Sequence, residues 1–172
     1  MVVMQKTKNT IKNLGFMKEA IQEILNKSWK PLLENYQELE DGNYPGIYLL
    51  AFTHRNLDNQ KVEPGDIFYV GMSNARKGVK SRVKQFLNGI EKNGSHSAGM
   101  RFYKEHSKGI AYSNCNHLEK FYIVSSTFKC DVDKRTRTPN DLKIMGNICK
   151  LEYYLLAHIK ELTNAEPKLN KK

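Results

Sequence analysis

No CxxC pair occurs among the three cysteines, Cys115, Cys130 and Cys149. Such wide spacing suggests neither a zinc site nor a disulfide framework, and it fits reduced thiols. The five histidines are scattered; His54 falls in a polar loop, and neither it nor His158 has a partner at zinc-ligand spacing. The opening stretch MVVMQKTKNTIKNLGF has no apolar core of the kind a secretory leader needs. No other stretch approaches the length of a membrane-crossing helix. Together these absences predict a cytoplasmic protein. Repeats and low-complexity tracts are missing too.

What is present is positive charge. Lys and Arg number 28 against 18 Asp and Glu, a formal net charge of +10. A polyanion is the natural counterpart, since cations that neutralise phosphates release condensed counterions. With 40% apolar and 10% aromatic residues, the 172-residue chain suits one domain with a sizeable core.

Residues 7–27 approximate a helical stripe through Ile11, Leu14, Ala20, Ile21, Ile24 and Leu25, interrupted by Gly15. Residues 28–43 end in the turn-prone Asp41-Gly42-Asn43, so 1–44 reads as a helical extension packed on a core domain at 45–172. The run 46–52, GIYLLAF, predicts a strand buried on both faces. A polar loop separates it from a second strand at 67–71, IFYVG, which completes an antiparallel hairpin. Residues 78–90 place Val79, Val83, Phe86, Leu87 and Ile90 on one helical face. A short helix is expected near 98–106, a third strand at 120–128, a basic loop at 129–141 and a helix at 147–163. The class is α+β.

Some residues break their local pattern. Glu152 follows Ile148 by four positions and precedes Leu155 by three, which sets a carboxylate along the apolar side of its helix. A buried charge there needs a partner or a metal; a salt bridge or an exposed stripe edge is the plainer alternative. Arg82 flanks an apolar stripe within the cluster Arg76, Lys77, Lys80, Arg82 and Lys84, at a helix start that attracts anions. Alternation sets Tyr48 with Leu50 and Phe52, and Tyr69 with Ile67. If both tyrosines take the same face, they meet beside the basic helix.

Gly46-Ile47-Tyr48 and Tyr69-Val70-Gly71, followed by Arg82, Glu152 and Asn170 in Pro167-Lys168-Leu169-Asn170, resemble the motifs of the GIY-YIG nuclease family. The resemblance runs over residues 45–170, with valine for isoleucine in the second motif. Two departures stand out. Phe86 occupies the position one turn after the arginine where many members have histidine, and Asn164 competes with Asn170 for the tail role.

The resemblance implies a three-stranded antiparallel sheet flanked by helices, and divalent-metal cleavage of nucleic acid. Glu152 would hold Mg²⁺ (or Mn²⁺), Arg82 a phosphate oxygen, Tyr48 would be the general base and Tyr69 an orienting group. A phenol titrates near pH 10, so Tyr48 would need a depression of about 3 units from Arg82, the metal's hydration shell and Lys77. Gly46 and Gly71 would admit phosphate or a neighbouring strand, and Asn170 would tie the tail to the sheet. Arg76, Lys80, His96, Arg101, Lys134, Arg135 and Arg137 are the candidate DNA contacts. A stand-alone chain of this kind is most similar to a restriction endonuclease, acting on double-stranded DNA as a possible homodimer. A structure-selective repair or mobile-element nuclease is the alternative of the same chemistry, and an inactive nucleic-acid-binding module that of a different class.

Overall fold

The computed structural model describes residues 17–92, 94 and 96–170. An α+β architecture is built on one antiparallel sheet in the order β1-β4-β2-β3. Its strands are β1 (Lys30–Pro31), β2 (Gly46–Thr53), β3 (Tyr69–Ser73) and β4 (Lys120–Thr127). The helices are α1 (residues 17–25), α2 (Leu32–Asn35), α3 (Gly78–Lys92), α4 (Ser97–Arg101) and α5 (Pro139–Thr163).

Three of the strands are those expected, and the fourth corrects the expectation of a three-stranded sheet. β1 is only two residues long and pairs Lys30 with Ile123 and Pro31 with Tyr122 at the free edge of β4. A proline removes a donor, so it is tolerated at such an edge and limits how far the pairing extends. Thus the segment before residue 45 contributes to the sheet itself.

β2 is the central strand, and its unbroken apolar run has the predicted reason. Ile47, Leu49 and Ala51 face one layer, made by α1, Trp29 and α5. Tyr48 and Leu50 face the other, made by α3, α4 and the segment through Phe102. Both layers are sealed, because Ile47 through Ala51 are fully buried. The N-terminal part of the sequence-predicted helix at 7–27 lies outside the described residues; its remainder sends Met17, Ile21 and Ile24 into the first layer.

Two further expectations need correction. Ile67 does not share a face with Tyr69: it packs with the first layer while Phe68 and Tyr69 join the second. Strand alternation cannot be extended backwards there, because β3 begins only at Tyr69 and Ile67 closes a 3₁₀ turn at Pro64–Asp66. Likewise the last helix starts at Pro139, inside the stretch expected to be loop. Thr138 caps it through a capping box with Asp141, and proline occupies the first turn, where its missing N–H costs nothing. Such a cap is worth about 1 kcal/mol. Farther along, α5 buries Ile148, Leu151, Leu155 and Ile159 as the periodicity predicts.

β3 is the outer edge of the sheet, and an unpaired edge needs cover. The tail supplies it. Asn170 Oδ1 accepts from the Val70 N–H and Asn170 Nδ2 donates to the Val70 carbonyl, both at 2.7 Å. Leu169 N–H donates to the Phe68 carbonyl at 3.0 Å. Asn164 has a different task, ending α5 in the left-handed conformation at φ 59°.

Candidate functional site

The tripeptides Gly46-Ile47-Tyr48 and Tyr69-Val70-Gly71 lie side by side on β2 and β3, with Tyr48 directly opposite Gly71. That pairing explains the glycine. A Cβ on Gly71 would sit 2.6 Å from the Tyr48 hydroxyl and 2.7 Å from the Tyr69 ring. At Gly46 a Cβ would collide with the Ser126 carbonyl of β4. The glycines therefore admit two tyrosine rings and a neighbouring strand.

Tyr48 and Tyr69 converge on the layer covered by α3, their ring centroids 5.9 Å apart. Tyr48 is fully buried and Tyr69 is 7% exposed. Burial dominates both phenols and pushes their pKa values up. The neighbouring Tyr69 and, more weakly, Glu152 raise Tyr48 further, while Arg82 pulls it down. For Tyr69, Glu152 adds to the rise, and Arg82, a hydrogen bond from Tyr48 and Arg101 oppose it. Arg82 alone therefore does not supply the depression expected of Tyr48, because loss of hydration outweighs the guanidinium facing it.

Arg82 and Glu152 come from opposite sides of the sheet and act on the same two hydroxyls. Arg82 lies half-buried on α3, steadied by a 2.8 Å hydrogen bond from Nη1 to Gln85 Oε1. It borders an open groove of about 330 Å³ lined by Met72, Asn74, Ser81 and Gln85. Glu152 is half-buried on α5, at the edge of the stripe rather than inside it, next to fully buried Leu151. α5 packs along β3, and this contact carries the carboxylate to the tyrosines. Asn74, at the end of β3, helps fix the helix there: its Nδ2 donates to the Met145 carbonyl at 3.0 Å and to Cys149 Sγ at 3.2 Å, a turn ahead of Glu152.

His96 has a place that the sequence did not suggest. It is fully buried, so it is no surface contact for phosphate. Its Nδ1 caps α4 by accepting from the Gly99 N–H at 3.3 Å, and its Nε2 lies 3.1 Å from the Tyr48 hydroxyl. Phe86 fills the space beneath, stacked on Tyr69 at 6.2 Å and edge-on to His96 at 5.5 Å. Phe86, one turn after Arg82, thus packs against an imidazole that comes from the start of another helix. The legible signal was a polar side chain three residues before Gly99, where an N-cap reaches the third amide.

Burial, then the cations Arg82 and Arg101, lower the His96 pKa from its ordinary 6.5 to about 3. The folded value lies below the unfolded one, so the unfolded chain takes up a proton that the folded chain refuses. This stability is complete above pH 6.5 and lost as the pH falls toward 3. Melting temperatures measured between pH 7 and 4 are expected to fall, and to fall less steeply in His96→Gln.

The remaining candidates are dispersed. Lys77 is exposed in the turn ahead of α3. Arg76 and Arg135 both pair with Asp133, Arg135 from 2.9 Å, while Lys134 is exposed beside them. Arg137 is half-buried in the same loop. Lys80 Nζ donates to the Gln37 carbonyl at 2.6 Å, and Arg101 Nη2 to the Leu169 carbonyl at 2.6 Å. Arg101 thereby holds the tail that covers β3. Among the described residues no three His, Cys, Asp or Glu side chains gather as a metal site. Nor is any described helix long and apolar enough to cross a membrane.

No family model matches the chain, no curated protein is similar to it, and no solved structure matches its fold.

Proposed function

We propose that this chain is a divalent-metal-dependent DNA endonuclease of the GIY-YIG kind, restriction-type, acting in the cytoplasm as a homodimer that cuts both strands. The observation that carries the reading is the convergence of Tyr48, Tyr69, Arg82 and Glu152 from two strands and two helices on one electrostatic neighbourhood. A structural salt bridge or a plain pair of strand aromatics requires no such gathering of phenol, guanidinium and carboxylate.

Mg²⁺ suits the donor set, since it keeps most of its waters and takes one or two protein carboxylates; Glu152 would hold it. When bound, Mg²⁺ or Mn²⁺ supplies positive charge to the scissile phosphate and its leaving oxygen. The residues do the rest. Arg82 pairs its planar fork with a non-bridging phosphate oxygen across the groove it lines. A phenolate of the tyrosine pair takes a proton from water; the water's oxygen bonds to phosphorus as the bond to the 3′ oxygen breaks. That oxygen leaves with a proton drawn from solvent. Because burial raises both phenols, substrate-bound cations must favour the phenolate, so cutting is expected to quicken at alkaline pH.

Charge supports DNA as the substrate class. The excess of ten positive charges is matched by the basic loop bearing Lys134, Arg135 and Arg137. Arg76 and Arg135 share one carboxylate, and exposed ion pairs of this kind hold so weakly that phosphates can displace them. The test is plasmid DNA incubated with Mg²⁺ or Mn²⁺. Discrete fragments are expected, with binding that weakens steeply as salt rises. Smears would replace restriction by non-specific cutting, and intact plasmid at every salt concentration would leave a binding module.

A further inference from the structure

His96 is a buried polar group that the proposed chemistry leaves unused. Both of its ring nitrogens have partners, and the two partners differ in kind. Gly99 offers an N–H, so Nδ1 must accept and cannot carry the ring proton. In a neutral imidazole that proton then sits on Nε2, which faces the Tyr48 hydroxyl at 3.1 Å. Nε2–H donates to the Tyr48 oxygen, and the Tyr48 O–H has to turn elsewhere. The neighbouring phenol is Tyr69, with ring centroids 5.9 Å apart.

The geometry points to His96 as a positioning residue. Its Nε2–H holds the Tyr48 oxygen, which leaves Tyr69, the neighbouring ring 5.9 Å away, as the phenol whose oxygen faces the attacking water. Tyr48, fully buried beneath Gly71, is the inner phenol. Tyr69 is the end with a solvent-accessible edge. The groups facing His96 and the two tyrosines are the cations Arg82 and Arg101 and the carboxylate of Glu152, with Phe86 closing the apolar side. Neither guanidinium can accept a hydrogen bond, so neither offers the ring N–H an alternative to the Tyr48 oxygen. The catalytic consequence rests on the nuclease reading; the direction of the His96–Tyr48 bond rests on the hydrogen bonds alone.

Two substitutions separate this role from helix capping. Asparagine at 96 can keep the cap, as a strong N-cap residue, but is too short to reach Tyr48. Glutamine is a poor cap whose amide nitrogen reaches about where Nε2 stood. With plasmid and Mg²⁺, H96Q is expected to cut within about threefold of wild type and H96N at least about tenfold more slowly, as loss of one buried hydrogen bond requires. A capping role alone inverts that order and overturns the proposal. Nitrogen-15 NMR of the wild-type protein is expected to find His96 neutral with its proton on Nε2. A proton on Nδ1 overturns the assignment whatever the variants do. If wild-type protein cuts no DNA, the nuclease reading falls, and the NMR result still decides the direction of the His96–Tyr48 bond.

Discussion

Plasmid DNA mixed with Mg²⁺ and the Glu152→Gln protein is expected to remain supercoiled, its cutting slowed at least about 100-fold relative to wild type. The substitution keeps the shape of the side chain and removes its charge. Glu152 is half-buried at the edge of the α5 stripe, beside a core residue, Leu151, that is untouched by the change. Its loss should therefore leave the fold standing, with a melting temperature close to that of wild type. The carboxylate also raises both phenols, so neutralising it lowers the Tyr48 and Tyr69 pKa values. That change alone would make a tyrosine a readier proton acceptor. A large fall in rate despite it isolates the cation-holding role; cutting that stays metal-dependent and fast would remove Glu152 from the site.

Phe86→Ala should have the largest effect on stability, about 3–5 kcal/mol, because a fully buried aromatic leaves a cavity its neighbours cannot fill. Phe86 touches Tyr69, His96 and Phe121, and two of these belong to the candidate site. Domains of this size are stable by only about 5–15 kcal/mol, so the variant stands near the margin. The urea midpoint should drop with an unchanged slope. Phe86→Leu, which keeps most of the volume, should lose much less. A midpoint that hardly moves in Phe86→Ala would show that the ring does not support the layer above β2.

Much of this was legible before any coordinates. The run GIYLLAF has no polar alternation because β2 is covered on both faces, and hydrophobicity alone reports that. The faces of α3 and α5 follow from their 3.6-residue period. Boundaries were harder. Thr138-Pro139-Asn140-Asp141 looks like loop by composition, yet its side chains and backbone close a helix start on one another. β1 was invisible, since two residues with a proline carry no strand signal and form one only because β4 offers an edge.

By itself the sequence determined the α+β class, the two buried faces of the central strand, the positive charge and the candidates Tyr48, Tyr69, Arg82 and Glu152. Those are properties of local period, composition and residue type. Only the tertiary structure decided which residues meet. It brought Glu152 to the tyrosines by packing α5 along β3, and gave His96, rather than a residue a turn beyond Arg82, to the Tyr48 hydroxyl. It also set the sign of the phenol shifts: spacing along a chain can count the cations near a tyrosine, but only burial in three dimensions shows that lost hydration outweighs them.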